Sequence, residues 1–133
     1  IDVGDNFILG NSSLITANSS YGMFIGNNVA IARNVLIHSA NHSFDEINKP
    51  IMQQKIISPK LEYNNKFYSV IIKDNVWIGS QSVILPGTII ESGCVVSSGS
   101  IVSGNFPENS VIMGNPARVI KSRIVNKDDK ENN

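Results

Sequence analysis

The sequence predicts an all-β solenoid, and three observations carry the prediction. Aliphatic residues recur every six positions: Val3, Leu9 and Ile15; Ile25, Ile31 and Ile37; then Ile72, Ile78, Ile84, Ile90, Val96 and Val102. An α-helix needs apolar spacings of three and four and a half-buried strand a spacing of two, so a sustained six fits neither. Three residues after each aliphatic stand Asn6, Ser12, Asn18, Asn28, Asn34, Ala40, Asn75, Gln81, Gly87, Gly93, Gly99 and Asn105. Nine of these twelve are Asn or Gly, the types that accept positive φ most cheaply, so the chain turns a corner every six residues. The next position is small or β-branched at Val29, Val35, Val76, Ser82, Thr88, Cys94 and Ser100, as a crowded interior beside a corner requires. A repeat of this kind stacks, each unit burying its apolar side against the next.

Taken in order, four coils can be phased, roughly 3–20, 25–42, 72–89 and 90–107. Three breaks interrupt them. A short one at 18–24 adds four residues between hexads. The long one, 38–69, contains Asn41-His42-Ser43-Phe44-Asp45, Pro50, Pro59 and the aromatics Tyr63, Phe67 and Tyr68. The third follows Val102, where 105–109 delays the next aliphatic, Ile112. Insertions leave a stack on one face, and loops longer than about 15 residues in compact domains are commonly functional. One domain over 1–121 is expected, with the polar tail 122–133 fraying.

Composition narrows the function classes. Lys+Arg and Asp+Glu both number 11, so nothing points to a nucleic-acid surface. Cys94 is the single cysteine, which precludes an internal disulfide and fits a reducing compartment. Apolar runs are far shorter than the roughly 20 residues of a membrane span, and a cytoplasmic location is expected.

The six-residue pattern resembles the hexapeptide repeat of the left-handed parallel β-helix, in which three hexads form a triangular coil of about 18 residues. The left hand is an implication of that resemblance. Three segments make it more specific. Ile25-Gly26-Asn27-Asn28 followed by 37–45 resembles the stretch that carries the catalytic histidine in galactoside, maltose and bacterial polysaccharide O-acetyltransferases, and His42 falls on that histidine. Val76-Trp77-Ile78-Gly79-Ser80 matches the family's VWIG motif, and Gly114-Asn115-Pro116-Ala117-Arg118-Val119-Ile120-Lys121 is similar to the segment lying against coenzyme A. The resemblance implies acetyl transfer from acetyl-coenzyme A to a sugar hydroxyl, without a metal, in a homotrimer with active sites between subunits. Two positions depart from the family: Gly104 stands where many relatives carry lysine, and Lys73 where glycine is usual.

The chemistry asked of such a site is modest. A thioester is already activated, so the acceptor hydroxyl must be aligned, deprotonated, and the developing oxyanion stabilised. His42 is the candidate general base, because neutral imidazole accepts protons near pH 7. Asp45 or Glu46 is a candidate to orient it. By resemblance the backbone N–H of Ser80, after Gly79, faces the oxyanion, and Trp77 walls the acceptor and pantetheine pocket. Ser98, Gly99, Ser103 and Gly104 would meet pantetheine. Pro116 and Ala117 would lie against coenzyme A, with Arg118 and Lys121 near its phosphates. Asn11 and His38 are candidate acceptor contacts, and Cys94 reads as core. Rival readings are an N-acetyltransferase on an amino sugar and a non-catalytic trimeric scaffold. A γ-type carbonic anhydrase needs three histidines where this chain has His38 and His42. An ice-binding β-helix needs threonine arrays where it has Thr16 and Thr88.

Overall fold

A computed structural model describes residues 1–18 and 21–125, and its core is a three-faced parallel prism. The first coil is β1 (Asp2–Val3), β2 (Ile8–Leu9) and β3 (Leu14–Thr16); the second is β4 (Met23–Ile25), β5 (Ala30–Ile31) and β6 (Leu36–His38). The long break holds β7 (Asn41–His42), a 3-10 turn (Ile51–Gln53), β8 (Ile56–Ile57), β9 (Leu61–Tyr63) and β10 (Lys66–Tyr68). The third coil is β11 (Val70–Ile72), β12 (Trp77–Ile78) and β13 (Val83–Ile84), and the fourth is β14 (Ile89–Ile90), β15 (Val95–Val96) and β16 (Ile101–Val102). A partial fifth follows: β17 (Asn105–Phe106), β18 (Ser110–Gly114) and β19 (Ala117–Ser122). Face A stacks β1-β4-β11-β14-β17, face B β2-β5-β12-β15-β18-β19, and face C β3-β6-β13-β16. The neighbours are parallel throughout except β18–β19, which is antiparallel.

The expected corners occur where the repeat is regular. Asn6, Ser12, Asn28, Asn34, Asn75, Gln81, Gly87, Gly93 and Gly99 all have positive φ. The exceptions, Asn18, Ala40 and Asn105, each border a break. At the last of these Gly104 takes the positive φ instead, and Phe106 pairs with Ile90 and fills the inward place on face A. From Phe106 the step of six resumes to buried Ile112. An aromatic in an aliphatic position is why the sequence reads this as a delay.

Inside, Ile25, Ile72 and Ile90 stack from face A, Ile31, Ile78 and Val96 from face B, and Ile37, Ile84 and Val102 from face C, all buried. The small residues after the corners are buried as expected, and their hydroxyls find corner carbonyls. Ser82 and Ser100 donate to Ser97 O, Thr88 to Leu85 O and Ser110 to Pro107 O. Buried hydroxyls thus keep partners in a core too narrow for larger side chains. The Cys94 thiol joins them, donating to Pro107 O, and burial pushes its pKa up. That is a core cysteine.

The first coil differs. Val3 and Leu9 are 46% and 44% exposed, since among the described residues their coil has a neighbour on one side alone.

The long break is two structures. The hairpin β9–β10 turns through Asn64 and Asn65, both at positive φ as a two-residue hairpin needs, and folds back over face A. There Tyr63 and Tyr68 pack on Phe24, Lys60 lies over the Phe67 ring, and Tyr68 donates to the Asp2 carboxylate, which also pairs with Lys66. The other piece, 41–57, projects from the corner between faces C and A.

Candidate active site

The two edges of face C carry most of the candidate residues, and the outside of face B carries Trp77 and Lys121. At the B–C edge successive coils place Gly10-Asn11-Ser12, Ala32-Arg33-Asn34, Gly79-Ser80-Gln81 and Ser97-Ser98-Gly99 one above another. Backbone bonds tie them: Asn34 N to Asn11 O, Gln81 N to Arg33 O and Gly99 N to Ser80 O. Asn11, Gly79, Ser80, Ser98 and Gly99 therefore share one column with rungs about 4.8 Å apart. Gly79 is there because its neighbours leave no room: a Cβ would come within 2.6 Å of Ser98 N. Gly99 is different, with positive φ and nothing within 4 Å of where a Cβ would stand, so its corner is open outward.

The Ser80 carbonyl is taken by Gly99, whereas its own N–H has no hydrogen-bond partner among the described residues. Trp77 stands two residues before the edge on face B and is 57% exposed. The turn Gly114-Asn115-Pro116 tops the same edge, since Ile112 pairs with Val96, and Gly114 N bonds the Ser100 hydroxyl. Ala117 is buried, while Pro116, Arg118 and Lys121 are exposed. Arg118 pairs with Met113 near this edge and Lys121 with Val111 across face B, so the strand separates the two cations.

The C–A edge holds the rest. His38 ends β6, where its Nδ1 lies 3.3 Å from Thr16 Oγ1. Four residues on, exposed His42 pairs in β7 with Ile56. Ser103 and Gly104 occupy this edge two coils later, with open space around Gly104. The pantetheine candidates thus fall on both edges: Ser98 and Gly99 before β16, Ser103 and Gly104 after it. Neither Asp45 nor Glu46 bonds the His42 imidazole; Glu46 pairs with Lys49 at 3.4 Å. Lys73, the departure at the A–B corner, is neutralised by Glu91 at 2.6 Å.

Three residues escaped the sequence reading. Arg33 shares the column of Asn11 and Ser80, visible only once coils are stacked. Arg123 donates from Nη1 to Gly93 O and faces Trp77 across a hollow of about 250 Å³ that also includes Asn28 and Asn75. This hollow lies at the A–B side of face B, away from His42. Gln54, the single buried residue between 41 and 57, carried no motif to mark it. The tail from 126 onward lies outside the described residues; before it, Arg123 N bonds Asn109 O.

The bacterial transferase hexapeptide model (six repeats) matches residues 69–104. The chain carries the hexapeptide repeat of bacterial transferases. With it the prism is the left-handed parallel β-helix, all-β as expected. The Escherichia coli K12 protein WbbJ, provisionally named for lipopolysaccharide-biosynthesis O-acetyl transfer, is 40% identical over 97 residues, 73% of this chain and 48% of that protein. A maltose O-acetyltransferase from Clostridium difficile 630 superposes with a TM-score of 0.72 at 36% identity, over 90% of this chain and 57% of that one. A galactoside acetyltransferase solved with coenzyme A superposes at 0.56 and 27% identity, over 97% and 67%. The hexapeptide-repeat chain spans about half the length of the curated relatives it matches. Among the described residues no group of three or more potential metal ligands occurs and no helix is long and apolar enough to cross a membrane.

Proposed function

We propose that this chain is the acyl-transfer unit of an acetyl-coenzyme A-dependent O-acetyltransferase acting on a sugar hydroxyl, of a bacterial surface polysaccharide or its precursor. The observation that carries the reading is the Ser80 N–H on the open B–C edge, unbonded among the described residues, in the repeat shared with named sugar acetyltransferases. His42 leaves from the other edge of face C. A site using both is therefore made between copies, one giving its B–C edge and the next its His42 arm, which favours the homotrimer. Apolar outer rows support such packing: Ile8 and Trp77 on face B and Leu14 on face C are exposed.

In this mechanism His42 removes the proton as the acceptor oxygen attacks the thioester carbonyl. The oxyanion forms against the Ser80 N–H, a donor already in place and needing no reorganisation. Collapse breaks the C–S bond, and the coenzyme A sulfur leaves with the proton that His42 held. Asn11, one column with Ser80, and His38, near His42, contact the sugar. Trp77 covers its apolar face. Pantetheine lies along the open glycine corners Gly99 and Gly104, beside Ser98 and Ser103, with Pro116 and Ala117 above and Arg118 and Lys121 toward the phosphates.

The test is acceptor-dependent thiol release from acetyl-coenzyme A over a panel of sugars, amino sugars and polysaccharides. His42→Ala is expected to lose about 10²-fold or more of wild-type release. Release that survives the substitution removes His42 as base; release confined to amino sugars overturns the hydroxyl acceptor.

A further inference from the structure

The arm 41–57 has no apolar core. Phe44, Ile47, Ile51 and Met52 are all exposed, and every residue from Phe44 to Ile57 but one is exposed as well. That one is Gln54, 5% exposed. Its carboxamide is fully used: Nε2 donates to Glu46 O (3.0 Å) and Lys49 O (2.9 Å), and Oε1 accepts from Glu46 N (3.2 Å). One side chain thus satisfies three backbone groups on the opposite side of the loop, doing for the arm what a strand partner does in a sheet. The remaining ties are short: Ser43 N to Lys55 O, the pairs Asn41–Ile57 and His42–Ile56, and local turns at Lys49, Gln53 and Gln54.

We propose that Gln54 is a positioning residue for the transfer reaction, closing the arm internally so that the β7–β8 stem holds His42 in one orientation. The inference rests on the reading of His42 as base. Among the described residues no carboxylate bonds the imidazole, so its aim comes from the backbone of the stem. The stem's second strand begins two residues after Gln54. Without the carboxamide, Glu46 N and Lys49 O must turn to water and Glu46 O keeps only Lys49 N, so the thirteen residues between the paired positions of the stem lose the one side chain that crosses the loop interior. No side chain of the prism takes part, so the coenzyme A edge is untouched.

The experiment is Gln54→Ala and Gln54→Glu, alone and in a His42→Ala background, with amide hydrogen exchange over 43–55. Glutamate keeps the size but loses both donors and sets a carboxylate against two carbonyls, so both variants are expected to behave alike. Each should lower kcat roughly ten- to a hundredfold, since small misplacements of a catalytic group cost that much. The KM for acetyl-coenzyme A should stay within about twofold, exchange at Glu46 should accelerate, and the thermal midpoint of the prism should hold. In the His42→Ala background the Gln54 substitutions should cost nothing further, because a positioning residue acts only through what it positions. Full activity in Gln54→Ala beside a dead His42→Ala overturns this inference alone, as does an equal loss in both backgrounds. Full activity in His42→Ala overturns the base reading itself.

Discussion

The regular coils and the projecting arm are held by opposite means. Between Ile25 and Val102 each coil contributes inward aliphatics with essentially no exposure, closed by corners at positive φ. Between Asn41 and Ile57 the larger apolar side chains face outward and order comes from hydrogen bonds around one glutamine. Hydrophobic burial is insensitive to detail and repeats readily. A polar staple is specific, singular and leaves no period behind. The difference suits the roles proposed for each, rigid corners for the coenzyme and a set-piece loop for the base.

Core truncation should separate the two regions most sharply. Ile84→Ala removes a fully buried side chain from the middle of the stack and is expected to cost about 2–5 kcal/mol in urea unfolding. Ile47→Ala, at a position 89% exposed, should stay within about 0.5 kcal/mol. Equal effects would mean that the arm buries its apolar tip, as it would against another copy.

Two glycines on the same edge sharpen the contrast at smaller scale. Gly79→Ala sets a Cβ 2.6 Å from Ser98 N and should cost about 1–3 kcal/mol of stability, with coenzyme A affinity falling as the rungs part. Gly99→Ala meets no atom within 4 Å and carries only the strain of φ +75, about 1 kcal/mol. A reversed order would show that the outer edge is more crowded than its coils.

The smallest effect belongs to the hairpin over face A. Its bonds from Tyr68 and Lys66 hold the Asp2 carboxyl below its ordinary 3.8, while burial and then the bond to Asp2 push the Tyr68 phenol up to about 12. A depressed acid stabilises above its unfolded pKa, and a raised phenol below its own. The latch is therefore intact between about 3.8 and 10.0, lost as pH falls through the lowered Asp2 value and again as it rises through about 12. Asp2→Asn should flatten the acid side of a stability–pH curve; an unchanged slope would remove the latch.

Much of this was legible in the residues because the repeat is local: an aliphatic, a corner former and a small residue at fixed offsets specify a coil without reference to distant chain. Cys94, Thr88 and the serines after each corner fell inside on that rule. Phe106 hid from it because the inward place at a break accepted a larger side chain. The exposure of Val3 and Leu9 was invisible because it depends on what lies beyond the end of the stack. Of the candidate site, the motifs marked His42, Trp77, Gly79 and Ser80, but not that His42 and Ser80 sit on different edges. Arg33 and Gln54 had no motif, and spacing along the chain does not say which corners align.

The sequence by itself determined the period, the corners and the inward residues, since each follows from steric preferences and burial within a few neighbouring positions; the candidate site segments came from resemblance. The tertiary structure decided which corners stack into one column, that the long break divides into a face-A hairpin and a free arm, and that a glutamine closes that arm. Those outcomes depend on contacts between residues far apart in the chain, which only the folded backbone brings within hydrogen-bond reach.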